Sequence, residues 1–427
     1  MLALPAARKS SRSAPLPLFA EAAAAELPCA GLPADSFLEG IRGFRQFGTP
    51  TLESRIDGIP YLINEYWTSG QRQASSIHEI TYRACFKPQL PEFFIARMTS
   101  PSETVYDPFM GRGTTPVQAA IMGRRPAGND INPLSVLLTR PRLRPPSLAE
   151  IAARLREVPW EAGEAGRTDL GAFYHPSTLL KLNALRAWLL SRCPLDQPDP
   201  DPVDDWIRMV ALNRLTGHSP GFFSGRTMPP NQAVSLEAQI RMNAKSGMAP
   251  PPRDVAAVIL KKSRSLLADV FPLAHPPAIL CVGPASATPA IPDASVALTV
   301  TSPPFLDIVQ YAGDNWLRCW FAGIDLGAMA IAMHRTEAAW TTMVRDVLRE
   351  QARILRSGGH VAFEVGEVRG GKVLLEKLVW QAADGLPFER QAVLVNQQEF
   401  TKTANCWGVA NNRSGTNTNR VVLLRRR

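Results

Sequence analysis

The stretch VYDPFMGRGTT, residues 105–115, constrains the fold of this chain more than any other segment. A short apolar strand ends at Asp107, and a loop with two glycines follows. TTPVQAAIMG (114–123) then has helical spacing and is closed by Gly123. RPAGND (125–130) reads as a second strand that ends in Asp130. A strand, glycine loop, helix and strand in succession is the repeating unit of a parallel α/β sheet. Gly111 and Gly113 lack side chains, so backbone can approach a ligand there, and the helix start near Thr114 offers free N–H groups. Asp107 at one strand tip suits an ammonium group. Asp130 at the next, at about this spacing, suits ribose hydroxyls. A glycine loop alone is as well explained by a structural turn; the whole succession is more specific.

The rest of the chain supplies further elements of the same class. LPEFFIARM (90–98) reads as a helix, AILCV (278–282) and VALTV (296–300) as strands. MVRDVLREQARIL (343–355) is an amphipathic helix ended by Ser-Gly-Gly, and HVAFEVG (360–366) is a strand. QAVLVN (391–396) and RVVLL (420–424) resemble a final antiparallel hairpin. Between them, residues 140–290 are rich in Pro, Arg and Trp, with a Pro/Asp linker at 194–205. At 427 residues the chain is long for one average domain, which favours an insertion or a second unit. The six cysteines are scattered, with no CxxC or HExxH, so no metal site is expected and a reducing location fits. Lys and Arg exceed Asp and Glu by 47 to 38, a net +9 compatible with a nucleic-acid partner.

The motif TSPPF, residues 301–305, follows directly on the strand 296–300. Adjacent prolines there are either a strand terminator or a rigid mount for hydrogen-bond acceptors. Together with DPFMGRGTT it resembles the catalytic and cofactor motifs of the DNA amino-methyltransferases that act on cytosine N4 or adenine N6. HEITYRACFKPQLPEFF (78–94) is similar to the family's upstream cofactor segment. The resemblance covers roughly 77–139 and 278–427. It implies a Rossmann-like, mostly parallel seven-stranded methyltransferase sheet with helices on both faces and an inserted target-recognition region. It also implies S-adenosyl-L-methionine as cofactor, held by Lys87, Pro88, Asp107, Pro108, Phe109, Gly111, Gly113, Thr114, Thr115, Asp130, Ile131 and Thr301. Ser302, Pro303, Pro304 and Phe305 become the catalytic group. Ser302 Oγ and the Pro303 carbonyl would accept from the target amine and localise its lone pair, and Phe305 would stack on a flipped base.

The expected organisation is a disordered tail (1–30), an N-terminal cap with the cofactor half (31–139), the target-recognition insertion (140–277) and the catalytic half (278–427). Arg214, Arg226, Lys261 and Lys262 are the expected DNA contacts. Serine in the second motif position favours cytosine N4. The order, with Asp107 before Ser302, is more usual among adenine-N6 enzymes. RNA guanine-N2 methylation and a non-catalytic nucleic-acid-binding role on the same fold are the further alternatives. Where the family often has Gly-Asp-Ala after the strand 278–282, this chain has Gly283-Pro284-Ala285-Ser286, so Ser286 is left to substitute for the acid. Expected partners are double-stranded DNA and a possible cognate restriction endonuclease, with no membrane. The expected state is a monomer or homodimer, in a bacterial cytoplasm at the nucleoid.

Overall fold

The computed structural model describes residues 34–427 apart from 69–73, 83–84, 165, 228–232, 271–272, 307–310, 326, 328–333, 369–371 and 398–417. The expected tail and most of the Asn/Thr/Gly-rich stretch 400–420 lie outside the described residues. The strands are β1 (Leu52–Ile56), β2 (Ile59–Asn64), β3 (Thr104–Asp107), β4 (Arg125–Asp130), β5 (Ile279–Val282), β6 (Val296–Thr301), β7 (Leu355–Val365), β8 (Glu367–Val368), β9 (Val373–Leu374), β10 (Phe388–Gln397) and β11 (Thr418–Arg426). Nine of them form one sheet in the order β1-β2-β10-β11-β7-β6-β3-β4-β5, and β8 pairs with β9. Neighbours from β7 to β5 are parallel, while β11 runs antiparallel to both β7 and β10.

The sheet therefore has nine strands where seven were expected. The two extra strands come from the segment read as a cap. Asp57 and Gly58 both have positive φ, 51° and 77°, the backbone of a tight two-residue hairpin. That turn pairs β1 with β2, and β2 then adds in parallel to β10, with Tyr61 beside Val393. A second difference lies in β7. Its pairing with β6 jumps from Val296–Leu355 to Leu298–His360, so Ser357-Gly358-Gly359 is a bulge inside the strand rather than a spacer before it.

The helices are α1 (Ala34–Arg42), α2 (Gln89–Met98), α3 (Thr114–Ile121), α4 (Leu134–Leu143), α5 (Leu148–Glu157), α6 (Pro176–Arg192), α7 (Pro202–Arg214), α8 (Leu236–Ser246), α9 (Val255–Leu266), α10 (Tyr311–Ala322), α11 (Glu337–Ile354) and α12 (Leu375–Ala382). Period-two alternation divides the sheet's side chains between two cores. Val361, Phe363, Val365, Val422 and Leu424 pack with α11 and α12. Ala362, Val421 and Leu423 point the other way, against Phe93, Phe94 and Ile95 of α2. Each large apolar side chain fully buried in this way contributes about 1.5–3 kcal/mol.

The described residues of 140–277 are mainly helical and share a third core with α10, in which Trp206, Ile207, Leu317 and Phe321 are buried. The expected Pro/Asp linker ends as the start of α7. Asp201 caps it by accepting from Val203 N and Asp204 N, and Pro202 takes the first helical position. Asp204 and Asp205 are buried because Arg154 and Arg192 pair with the first, and Arg140 with the second at 2.7 Å.

Candidate active site

In open parallel sheets, ligands bind beyond the carboxyl ends of the strands, where the chain reverses its direction of winding. Here that point lies between β3 and β6. The chain winds outward from β3 through β4 to β5, then returns to place β6 on the other side of β3. A cavity of about 550 Å³ opens there. Its wall includes Pro108 to Gly111 and Thr114 after β3, Asp130 to Asn132 after β4, Gly283 to Ser286 after β5, and Ser302 and Pro304 after β6.

The two expected glycine roles separate. Gly111, at φ +51°, lines the cavity, and its N–H donates to Asp130 Oδ2 at 2.9 Å. Gly113, at φ +79°, does not meet the cavity. A Cβ there would fall 2.1 Å from Thr139 Oγ1, so this glycine lets α3 pack on α4. Asp130 also accepts from Asn132 N at 2.9 Å, and burial raises its carboxyl above the ordinary range. Asn132 lines the cavity; its Oδ1 accepts from Leu134 N, while its buried Nδ2 has no partner.

Asp107 is 1% exposed and lies beneath the loop, outside the cavity wall. Its Oδ1 accepts from Phe109 N at 3.0 Å and from Thr301 Oγ1 at 2.6 Å. Burial lifts its pKa to about 7, against the pull of those two hydrogen bonds. Thr115 Oγ1 donates to the Val300 carbonyl at 3.0 Å. Asp107, Thr115 and Thr301, expected to touch the cofactor, thus fasten the glycine-loop motif to TSPPF.

The segment before α2 is also held from beneath. Tyr82, Cys85 and Phe86 line the cavity. Arg112 donates to the carbonyls of Ile80 at 2.8 Å and Phe86 at 3.2 Å, and Arg318 to that of Thr81 at 2.9 Å. Arg142 is fully buried, and burial followed by the charge of Arg112 brings it down to about 9. Lys87 and Pro88, expected to hold the cofactor, lead into α2 and are outside the described cavity wall.

Within TSPPF, Ser302 and Pro304 face the cavity. The Ser302 hydroxyl bonds to the carboxylate of Glu364, which is 7% exposed and also accepts from Asn419 Nδ2 at 2.9 Å. Burial raises the Glu364 carboxyl, and both hydrogen bonds pull it back. The Pro304 carbonyl accepts from the indole Nε1 of buried Trp340 at 2.9 Å. That leaves the Pro303 carbonyl as the proline acceptor not claimed by Trp340. Phe305, expected to stack on the target base, is partly buried against the core beside α11 and α12 and is not part of the described cavity wall. Glu364, Trp340 and Asn132 were missed in the sequence. An acid inside the apolar strand HVAFEV was the available signal for the first.

The expected DNA contacts divide. Arg214 is buried at 9% exposure, with its guanidinium over the Phe222 ring at 4.1 Å and donating to the Asn213 carbonyl at 3.0 Å. Burial and nearby Arg318 bring it down to about 10. Lys262 pairs with the exposed Glu79 at 3.3 Å, with its own side chain 10% exposed. Arg214 therefore has its charge turned into the protein, and Lys262 has its charge paired with Glu79. Arg226 and Lys261 are exposed.

Parts of the chain are similar to known proteins. A family model described as DNA methylase, of the N6 and N4 type, matches residues 57–138. The Type II methyltransferase M.MjaII of Methanocaldococcus jannaschii is 38% identical over 77 residues, 18% of this chain and 14% of that protein. The Type II methyltransferase M.MvaI of Kocuria varians is 28% identical over 137 residues, 31% of this chain and 26% of that protein. The matched segment thus spans no more than 26% of either curated relative. Among solved structures, TrmN from Thermus thermophilus aligns with 84% of this chain and 53% of its own, at 12% identity and a TM-score of 0.32. Residues 57–138, the segment that builds the glycine-loop side of the cavity, are thus similar to the N6/N4 DNA methylase family.

Proposed function

We propose that this chain is a DNA methyltransferase that uses S-adenosyl-L-methionine and modifies the N4 amino group of cytosine in double-stranded DNA after flipping the base. The shared cavity carries this reading: the glycine loop, Asp130, Ser302 and Pro304 line one space of about 550 Å³. The residues present suit an adenosyl cofactor. Asp130 offers acceptors for ribose hydroxyls, and the unpartnered Asn132 Nδ2 is a buried donor that lacks an acceptor in the protein. Ile131 offers an apolar face to the purine. When bound, the cofactor supplies an electrophilic methyl group.

The chain's own residues prepare the amine. The Ser302 hydroxyl donates to Glu364, which leaves lone pairs on Oγ free to accept an amino N–H. The Pro303 carbonyl provides a second acceptor on a proline-fixed backbone. Two acceptors on one exocyclic amine draw its lone pair out of the ring. Glu364, raised by burial, is placed to take the surplus proton through Ser302. Arg226 and Lys261, exposed on the helical region 140–277, are the proposed phosphate and base-edge contacts.

The motif order, with Asp107 ahead of Ser302, favours adenine N6 as the second reading. Expression in a methylation-free host, followed by base-resolved detection of modified DNA, separates them. N4-methylcytosine is the expected product. N6-methyladenine would overturn the base assignment, and unmodified DNA would overturn the enzyme reading.

A further inference from the structure

The wall formed by Gly283, Pro284, Ala285 and Ser286 contains no carboxylate, although it stands where the cavity follows β5. An acid reaches the same cavity from another element. Thr342, Met343, Asp346 and Val347 share one face of α11, by their spacing of three and four residues, and all four line the cavity. One turn further along that helix, Glu350 accepts from Thr288 N and Thr288 Oγ1, both at 2.7 Å. Arg353 donates to the carbonyls of Thr288 and Ile291, both at 3.0 Å. The helix is thereby clamped to the segment that follows Ser286, and Val347, the residue after Asp346, shares a buried core with Ala285 of the 283–286 wall.

We propose that Asp346 is the specificity-determining acceptor for the exocyclic amine of the cofactor's purine, a role that α11 supplies in place of the segment after β5. This rests on the adenosyl-cofactor reading above. Two observations and one chemical argument support it. Asp130 and Asn132 mark the ribose side, and Gly283 N donates to the Asp130 carbonyl at 3.0 Å, which sets the 283–286 wall next to it. Arg349 Nη1 donates to Asp346 Oδ1 at 2.7 Å, which orients the carboxylate yet uses only part of its roughly four acceptor positions. A carboxylate also accepts an amine more strongly than the neutral hydroxyl of Ser286 does. An aminopurine presents two donors to such a group. An oxopurine presents a carbonyl oxygen, which the carboxylate repels.

The test is equilibrium binding of S-adenosyl-L-homocysteine and of S-inosyl-L-homocysteine to the full chain, without DNA. Wild type is expected to prefer the adenosyl compound about tenfold or more. Asp346→Ala should bring the two affinities within about threefold, Asp346→Asn should improve binding of the inosyl compound, and Ser286→Ala should keep the preference. A preference that survives intact in Asp346→Ala, or is lost in Ser286→Ala, overturns the assignment and leaves the proposed function standing. Equal binding of both compounds by wild type overturns it as well. Binding of neither by wild type overturns the cofactor reading, and the assignment with it.

Discussion

Asp107 is a buried carboxyl at the junction of two motifs, and its titration is a property of the fold. In the unfolded chain it titrates near 3.8, and burial lifts it to about 7 in the folded one. Between those values the folded state keeps a proton that the unfolded chain has released. This residue's contribution to stability therefore falls as pH rises from about 4 to about 7 and is level above, a loss on the order of 4 kcal/mol. Asp107→Asn can still accept from Phe109 N and Thr301 Oγ1 but cannot ionise. Denaturant unfolding should show that the stability of this variant, relative to wild type, is greater near pH 8 than near pH 5 by about 2–3 kcal/mol. A difference independent of pH would contradict the buried ionisable role. The residue types at this site were legible in the sequence, and several of their duties were not. DPFMGRGTT locates Asp107 and both glycines, yet the hydrogen bond from Thr301 joins residues 194 positions apart. No local pattern encodes such a contact. Arg214 is a related case: composition reveals the charge, and only packing reveals that it is turned inward.

At the scale of elements, helix-to-helix and helix-to-loop packing sets the site. Gly113→Ala combines a left-handed φ with a Cβ driven into Thr139. It should cost about 3 kcal/mol or more, and Thr139→Ala in the same chain should recover part of that, leaving about 1–2 kcal/mol of backbone strain. Urea unfolding of the single and double variants checks this, and full independence of the two changes would contradict the packing role. Helix α11 was recognised from its apolar spacing, but it begins at Glu337, where Thr336 caps it by accepting from Ala339 N. The extra turns carry Trp340, whose indole holds the Pro304 carbonyl. Trp340→Phe keeps an aromatic ring in the core and removes the donor. The expected result is a roughly tenfold loss in single-turnover methyl transfer with cofactor affinity unchanged, because preorganisation of the loop is lost rather than the cavity. An unchanged transfer rate would show that the prolines alone fix the loop. The Asp57-Gly58 hairpin was also readable, as an Asp-Gly pair between short strand-like runs. It was obscured because β1 is fully exposed and carries little apolar signal.

Across the whole molecule, the glycine-loop half and the TSPPF half are separated in sequence by the helical region 140–277 and meet at the reversal point of one sheet. The alternation of strands and helices made that sheet predictable. The third core, shared by the insertion and α10, was not, because helices packing on one another leave no strand-like punctuation to read. The central claim is that Ser302 acts on the amine while the other wall of the cavity holds the cofactor. The most direct measurement compares wild type and Ser302→Ala with S-adenosyl-L-methionine labelled in its methyl group, scoring cofactor binding and label transferred to mixed duplex DNA in the same preparations. The expected result is label on DNA with wild type, a loss of about a hundredfold or more with Ser302→Ala, and equal cofactor affinity in both. Equal transfer by the two proteins, or a parallel loss of cofactor binding in the variant, would contradict that division of labour.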